Sequence, residues 1–241
     1  MKITEKLNAF QNNLYAAEIP TVAFTGDSVT QGCFECYSVG ESGLSTVFEE
    51  KSGYVRRVQE IFSLLYPSAK INVINAGLNG ADVRTGLKNL EQNVLRHRPD
   101  LTVVSYGLND SVAGENGIDR YGEALGEMLD RIIENGGEAL FVTQNFMCEK
   151  TSDFLKDKIF IDLSKDFAAL QNGGVLDKYF ERAKEVCARR GVKVCDVRAS
   201  WQAMKRGGVN VTELLANKLN HPIREFSYYT AMKIVESIFE L

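Results

Sequence analysis

Histidine is scarce in this chain of 241 residues, which contains only His97 and His221. Any histidine base must be one of these two, and no His-Glu-x-x-His motif is present to hold zinc. The cysteines number five and are scattered, so they indicate no disulfide framework, and reduced thiols are expected. Cys33 and Cys36 have the spacing of a redox or metal pair, but without a second such pair we predict no metal site.

The chain also lacks an excess of basic residues and any long apolar run. Its 28 lysines and arginines and 32 aspartates and glutamates give a formal net charge of -4, so no broad phosphate-binding face is expected and nucleic acid is not a predicted partner. Residues 1–20 mix charged and amide side chains where a signal peptide needs an unbroken apolar segment. No later run approaches membrane-spanning length, and we predict a cytoplasmic protein without a membrane partner.

Proline is rare as well, with four residues, and neither a repeat nor a low-complexity linker marks a domain boundary. Hydrophobic residues make up 44% of the chain and charged residues 25%, which is ordinary for a globular protein. We therefore predict one domain over residues 1–241.

Short apolar runs alternate with longer amphipathic stretches. The runs predict five buried strands: Thr21 to Thr25, Ile71 to Asn75, Leu101 to Ser105, Ala139 to Thr143 and Val192 to Val197. In two of the stretches apolar residues recur at helical spacing: Val83, Leu87, Leu90 and Val94, then Tyr121, Leu125, Met128 and Ile132. Apolar strands that alternate with helices belong in a parallel sheet that is buried on both faces. We predict an α/β fold, a three-layer α/β/α sandwich with a mainly parallel sheet of about five strands.

Three consecutive predicted strands end in loops that combine glycines with polar residues. In open parallel sheets, ligands bind at the carboxyl ends of the strands, so these loops are expected to face one crevice. The loops are Gly26-Asp27-Ser28-Val29, Asn75-Ala76-Gly77-Leu78-Asn79-Gly80 and Tyr106-Gly107-Leu108-Asn109-Asp110.

The loops contain groups that acyl transfer requires. A serine hydroxyl is a poor nucleophile unless a base accepts its proton, and the reaction also needs hydrogen-bond donors for the developing oxyanion. Gly26 permits a tight turn that presents Ser28, whose backbone N–H is one candidate donor. The N–H of Gly77 and the side-chain amide of Asn109 are two more. Each loop alone has an ordinary turn composition, but their occurrence at three strand ends favours a functional site.

The base must come from another part of the chain. His97 precedes Arg98-Pro99-Asp100, at the end of a predicted helix and at the sheet edge opposite the crevice, where a histidine interacts with the helix macrodipole. His221 precedes Pro222, and proline favours the first position of a helix, so His221 is predicted to lie at the entry to the last helix. His221 is therefore the predicted base.

The absence of a Walker loop, and of a Gly-x-Gly-x-x-Gly after a strand, predicts no cofactor.

Four segments resemble sequence blocks of the GDSL/SGNH hydrolases. Thr25 to Gly32 (TGDSVTQG) is similar to the first block, with Val29 in place of the usual leucine or isoleucine. The second, third and fifth blocks resemble Asn75-Ala76-Gly77, Tyr106 to Asp110 (YGLND) and His221-Pro222. The resemblance implies the SGNH fold and an ester or thioester hydrolase or deacylase. The site residues it implies are Ser28 as nucleophile, Gly77 and Asn109 in the oxyanion hole, and His221 as base.

The sequence departs from the family pattern beside the base. The family usually has an aspartate three residues before the histidine, where this chain has Lys218. That carboxylate orients the imidazole, and its replacement costs about 10⁴ in rate in a well-studied protease. A nearby backbone carbonyl, Asn217 and Glu213 are the candidates for orienting His221 here, and a Ser-His dyad is a further alternative.

Three functions follow as hypotheses. The first is a hydrolase whose partner is a small-molecule acyl ester, with O-acetylated sugars as candidate substrates. The second is a carbohydrate- or acyl-binding protein that kept the fold but lost turnover, and the third is a flavodoxin-like nucleotide binder. The stretch 32–54 is predicted as a loop insertion that forms either one wall of the pocket or a surface lid. Its aromatic residues are Phe34, Tyr37, Phe48 and Tyr54.

Overall fold

Parallel strands form the centre of the molecule. The computed structural model describes residues 1–15, 17–40 and 43–239. Its strands, numbered along the chain, are β1 (Thr21–Gly26), β2 (Cys33–Val39), β3 (Gly43–Phe48), β4 (Asn72–Gly77), β5 (Leu101–Ser105), β6 (Glu138–Val142) and β7 (Lys193–Cys195). The central sheet has the order β4-β1-β5-β6-β7, and every neighbouring pair in it is parallel. β2 and β3 pair with each other antiparallel and are called the β2–β3 ribbon below.

Helices cover both faces of the central sheet. In chain order they are α1 (Lys2–Asn12), α2 (Ser28–Gln31), α3 (Tyr54–Leu65), α4 (Val83–Asn93), α5 (Ile118–Glu134), α6 (Lys158–Asn172), α7 (Val175–Ala188), α8 (Val197–Arg206) and α9 (Arg224–Phe239). The apolar sides of α4, α5 and α7 form one core with the sheet, and those of α1, α3, α8 and α9 form a second core on the other face. The predicted three-layer α/β/α sandwich is thereby confirmed. No helix within the described ranges is both long and apolar enough to cross a bilayer.

The helical faces predicted from spacing are the faces that pack on the sheet. Leu125, Met128 and Ile132 lie on one side of α5 and are fully buried, as is Leu90 in α4. Burial of each such side chain stabilises the fold by about 1.5–3 kcal/mol. The same packing aligns the helices with the strands, so that the loops at the carboxyl edge of the sheet have fixed positions.

The predicted strands are all present, with ends within two residues of those predicted. One difference concerns β4, which is only partly buried at Val73 and Ile74 because it forms an edge of the sheet. A second difference concerns the stretch 32–54, predicted as a loop. It contains the β2–β3 ribbon and the first residue of α3, Tyr54, because β2 and β3 pair from Cys33 and Phe48 onward.

Candidate active site

Ser28 lies at the start of a short helix directly after β1. Asp27 separates it from the strand and caps the helix, since the Val29 N–H donates to Asp27 Oδ1 (3.0 Å). Glycine is required at position 26, because a Cβ there would lie 2.1 Å from Thr30 Oγ1. α2 can therefore fold back over the strand end and hold Ser28 at the carboxyl edge of the sheet. The Ser28 N–H has no acceptor among the described residues, so it is free to act as a donor.

His221 connects Ser28 to a backbone carbonyl. His221 Nε2 lies 2.9 Å from Ser28 Oγ, and Nδ1 lies 2.8 Å from the carbonyl oxygen of Phe34. A carbonyl oxygen can only accept a hydrogen bond, so in the neutral imidazole the proton is on Nδ1 and Nε2 accepts from the Ser28 hydroxyl. In this arrangement a histidine can remove the proton from a serine nucleophile.

Burial sets the protonation state of His221. The residue is 4% exposed. Burial lowers the pKa of His221 from 6.5 to about 4, and this shift is partly opposed by the hydrogen bond to the Phe34 carbonyl and by the negative charge of Glu35. The imidazole is therefore neutral at pH 7 and can accept a proton.

Asn217 organises the main chain of the loop that contains His221. Its side-chain oxygen accepts three hydrogen bonds of 2.9–3.0 Å, from the N–H groups of Leu219, Asn220 and His221. Lys218 lies between these donors and Asn217 with a φ of 58°, a left-handed conformation that is uncommon for residues other than glycine. Asn217 thus positions the backbone at His221 and not the imidazole ring.

Glu213 is the other side chain that the sequence suggested for orienting the base. Its carboxylate pairs with Lys218 Nζ at 2.9 Å. The ring is instead held by the Phe34 carbonyl on β2, which is 187 residues away in the sequence. The sequence analysis left open a nearby carbonyl, Asn217 and Glu213, and none of these orients the imidazole, because the carbonyl that does so belongs to a distant residue of the chain.

The main chain after His221 also differs from the prediction. Pro222 was expected to be the first helical residue, but α9 begins at Arg224. Pro222 pairs with Leu215 in an isolated antiparallel bridge, and the Ile223 N–H donates to the carbonyl of Leu214 (2.9 Å). Because these bonds use the backbone on both sides of Pro222, His221 lies in a closed loop before the helix.

His97 lies outside this arrangement, whereas Cys36 borders it, since its Sγ accepts a hydrogen bond from Asn217 Nδ2 (3.5 Å). His97 is exposed in a short 3₁₀ turn between α4 and β5. Cys33 is buried at the start of β2, where burial raises the pKa of its thiol to about 12, so the thiol stays protonated. In residues 1–15, 17–40 and 43–239 there is no group of three or more His, Cys, Asp or Glu side chains able to hold a metal ion.

In the second loop, Asn75 to Gly80, the unpaired N–H belongs to Gly80 and not to Gly77, the predicted oxyanion donor. The Gly77 N–H donates to Asn75 Oδ1 (3.1 Å), and Gly77 packs under α2, where a Cβ would lie 2.4 Å from Gln31 N. Gly80 is exposed and has a φ of 76°, which favours glycine. The Gly80 N–H has no acceptor within the described part of the chain. Gly80, and not Gly77, therefore offers an unpaired N–H to a ligand.

Asn109 connects the third loop to the second. Its Nδ2 donates to the carbonyl of Ala81 (2.9 Å), the residue after Gly80. An amide nitrogen has two hydrogens, so one remains for a ligand. Ser28, Gly80 and Asn109 follow the neighbouring strands β1, β4 and β5, and each supplies an N–H at the same edge of the sheet.

Gln144 joins the first and third loops, and sequence reasoning missed it. The side chain is buried two residues after β6, where Nε2 donates to Asp27 Oδ2 (2.8 Å) and Oε1 accepts from the Leu108 N–H (2.9 Å). Burial raises the pKa of Asp27 to about 6, and the hydrogen bond from Gln144 opposes that shift. The sequence contained a signal for Gln144, because this residue directly follows the end of a predicted strand, as the three loops do.

Comparison with known families places the chain in one of them. The model of the GDSL-like lipase/acylhydrolase family matches residues 24–225. The protein belongs to this family of carboxylic ester hydrolases. The matched range includes all four segments that the sequence analysis singled out, and the fold is that of the SGNH hydrolases.

Several relatives of this GDSL/SGNH family member act on acetylated polysaccharides. An acetylxylan esterase from Geobacillus stearothermophilus is 32% identical over 87 residues, which cover 36% of this chain and 38% of the relative. The crystal structure of an acetylxylan esterase from that organism gives a TM-score of 0.67 at 19% identity, covering 92% of this chain and 95% of the other. A two-domain esterase active on acetylated mannans gives 0.63 at 18% identity, and the 97% of this chain that matches spans only 52% of that esterase. At these identities the structural likeness shows the fold alone.

Proposed function

We propose that this protein is a serine esterase that removes small acyl groups, with O-acetylated carbohydrate as its substrate class. The observation that supports this proposal is the position of His221, whose Nε2 lies 2.9 Å from Ser28 Oγ while its Nδ1 donates to the Phe34 carbonyl. Both the nucleophile and the tautomer of the base suit acyl transfer.

In the proposed first half-reaction Ser28 Oγ attacks the ester carbonyl carbon as its proton moves to His221 Nε2. The carbonyl oxygen becomes an oxyanion, which accepts hydrogen bonds from the N–H groups of Ser28 and Gly80 and from the Asn109 amide. The ester C–O bond then breaks, and the leaving alcohol oxygen takes the proton from Nε2, so that the acyl group remains on Ser28.

The second half-reaction repeats these roles with water. His221 Nε2 accepts a proton from the water molecule as its oxygen attacks the acyl carbon, and the same donors stabilise the new oxyanion. Collapse of this intermediate releases the carboxylic acid and returns the proton to Ser28 Oγ. The atoms and protons balance without a cofactor.

Burial of the reacting groups supports a short acyl chain. Ser28 is 3% exposed and His221 is 4% exposed, so little surface is open for a bulky acyl group beside the nucleophile. The relatives named above act on acetylated xylan and acetylated mannan, and acetyl is the smallest common acyl group. An acetyl ester on a saccharide satisfies both considerations.

The test combines active-site labelling with product detection. Wild type should gain the mass of one fluorophosphonate adduct and release acetate from acetylated xylo- or manno-oligosaccharides, and Ser28→Ala should do neither. Among p-nitrophenyl esters, acetate should be the best substrate and longer acyl chains progressively poorer. A wild type that is neither labelled nor active on any of these esters would support the non-catalytic binding protein instead.

A further inference from the structure

The group that orients His221 is a backbone carbonyl, so its position depends on the chain around it. Phe34 lies in an irregular part of the β2–β3 ribbon, where the register shifts between Cys33 and Cys36. A shift of this kind takes backbone groups out of the regular ladder and aims them elsewhere. Strand pairing alone therefore does not fix the direction of the Phe34 carbonyl.

A guanidinium group holds this segment of the ribbon. Arg224 Nη1 and Nη2 donate to the two carboxylate oxygens of Glu35 at 2.6 and 2.9 Å, and Nε donates to Glu49 Oε2 at 2.8 Å. The guanidinium carbon also lies 4.4 Å from the centroid of the Phe34 ring. Arg224 thus contacts Phe34, its neighbour Glu35, and Glu49, which follows β3.

Arg224 also lies close to His221 along the chain. It is the first residue of α9, three residues after His221. The main chain on this short segment is anchored to residues 214–216, because the Ala216 N–H donates to the His221 carbonyl (2.7 Å) and the Ile223 N–H donates to the Leu214 carbonyl (2.9 Å). The same residue therefore fixes both ends of the bond between Nδ1 and the Phe34 oxygen. Its main chain leads to the base, and its side chain contacts the ring of Phe34 and the carboxylate of the next residue, Glu35.

We propose that Arg224, acting with Glu35 and Glu49, is a positioning residue that holds the Phe34 carbonyl against His221 Nδ1. This inference rests on the proposed esterase function. A planar, forked guanidinium can fix two carboxylates and stack on a ring at the same time, which a lysine ammonium cannot do. If the carbonyl moves, the imidazole can rotate or change tautomer, and Nε2 no longer accepts the Ser28 proton.

The main experiment compares Arg224→Met with Arg190→Met. Arg190 forms a similar bidentate pair with Asp130 at 2.7 and 2.8 Å, far from the site. Its side chain is 25% exposed and that of Asp130 47%, against 34% and 45% for Arg224 and Glu35. Both variants lose a bidentate arginine–carboxylate pair, and Arg224→Met also loses the bond to Glu49 and the contact with the Phe34 ring. Thermal unfolding is therefore measured for both, and kcat is compared well below both melting temperatures, where a difference reports on position and not on the amount of folded protein.

The expected kinetic result is a loss in kcat. Arg224→Met should lower kcat by about 10–100-fold, the range for a catalytic group moved by a remote change, and leave KM within about two-fold. Arg190→Met should keep kcat within about two-fold of wild type. Arg224→Lys retains the charge without the fork and should recover only part of the lost rate.

Proton NMR adds a readout that does not need turnover. The Nδ1 proton of a buried histidine bonded to a carbonyl exchanges slowly and is assigned by its loss in His221→Gln. It should be visible in wild type and in Arg190→Met and broadened by exchange in Arg224→Met. If wild type shows this proton but hydrolyses no ester, the proposed function fails while the positioning role is still tested by the spectrum.

The proposal is overturned if Arg224→Met matches Arg190→Met in kcat and keeps a sharp Nδ1 resonance. Should Arg224→Met fail to fold, Glu35→Gln and its counterpart Asp130→Asn put the same question with smaller perturbations. A lower kcat and a broadened Nδ1 proton in Glu35→Gln alone would support the proposal, and equal values in the two variants would overturn it.

Discussion

The two halves of the site are built by different parts of the molecule. The nucleophile half consists of Ser28, Gly80 and Asn109, on loops at the ends of adjacent parallel strands. The base half consists of His221 and the Phe34 carbonyl, on a loop before α9 and on the β2–β3 ribbon. Sheet pairing and close glycine packing position the first half, whereas contacts between residues far apart in the chain position the second. A nucleophile can thus be placed by local sequence, while a base without a neighbouring carboxylate depends on tertiary structure.

The halves are joined by two consecutive residues after β6. Gln144 bonds to Asp27 and Leu108 in the nucleophile half, and the Asn145 side chain donates to the carbonyl of Asn220 (2.8 Å), next to His221. Each amide is buried, so its hydrogen bonds are not weakened by competing water. The distance between nucleophile and base is therefore set partly from a strand that contributes no reacting group.

The largest effect is expected from removing a donor of the nucleophile half. Asn109→Ala should lower kcat by about 10²-fold, because one hydrogen bond to the oxyanion is lost in the transition state. KM should change little, since the substrate carbonyl carries less charge than the oxyanion. Steady-state kinetics on an acetyl ester measures both values.

Asn135→Ala is the matched control for that prediction. Asn135 Nδ2 donates to the carbonyl of Leu95 (3.1 Å), just as Asn109 Nδ2 donates to Ala81, but it lies at the end of α5 and away from the site. Both variants lose one amide-to-carbonyl bond. Equal kcat values for the two would mean that Asn109 only ties the loops together and is not an oxyanion donor.

A smaller effect is expected from removing Gln144, which is bonded to the nucleophile half but does not belong to it. Gln144→Leu leaves Asp27 Oδ2 and the Leu108 N–H without their partner in a buried site, so the free energy of unfolding should fall by about 2–3 kcal/mol. Because the loops of Ser28 and Asn109 then shift relative to each other, kcat should fall by about ten-fold. Denaturant titration and kinetics give the two quantities.

Gln171→Leu separates stability from position. Gln171 is also a buried amide, whose Oε1 accepts from the Met147 N–H (3.1 Å) and from Arg198 Nη2 (3.4 Å), and neither donor belongs to the nucleophile half. Gln171→Leu should lower the free energy of unfolding by a similar amount and leave kcat within about two-fold of wild type. A Gln144→Leu variant with normal kcat would show that the two loops hold their geometry without this bridge.

The fold and the nucleophile half were predictable because their causes are local. An apolar run such as Thr21 to Thr25 is long enough for a strand and too short for a helix, and the glycines and polar residues that follow it mark the strand end. The choice between Gly77 and Gly80 is less local. It depends on the Asn75 side chain, which occupies the Gly77 N–H, and on the φ of Gly80, neither of which composition reveals.

The base half was predictable only in the identity of His221. A backbone carbonyl leaves no mark in a sequence, because every residue has one. The ribbon places the Phe34 oxygen beside His221 only after β2 and β3 pair with a register shift, and α9 must supply Arg224 at the same place. Asn217 and Glu213 are near His221 in the chain, yet Asn217 binds backbone N–H groups and Glu213 binds Lys218.

The smallest expected effect is electrostatic and belongs to the base half. Burial lowers the pKa of His221 to about 4, and a base must be unprotonated to act, so kcat/KM of wild type should stay level from pH 7 to about 5 and fall to half near pH 4. The negative charge of Glu35 raises the pKa of His221. Glu35→Gln removes that charge, and the acid limb should therefore move to lower pH by a few tenths of a unit, whatever happens to the plateau.

Asp130→Asn removes a carboxylate of similar exposure from a distant ion pair and should leave the acid limb where it is in wild type. Circular dichroism at each pH keeps acid unfolding out of the profiles. A wild-type midpoint near 6.5 would mean that the imidazole is solvated in solution and not buried as in the structure. An acid limb that does not move in Glu35→Gln would show that the charge of Glu35 contributes little to the pKa of His221. Loss of that charge and loss of the Phe34 hydrogen bond both lower this pKa, so a limb that moves to higher pH would show that the substitution lets water reach the imidazole.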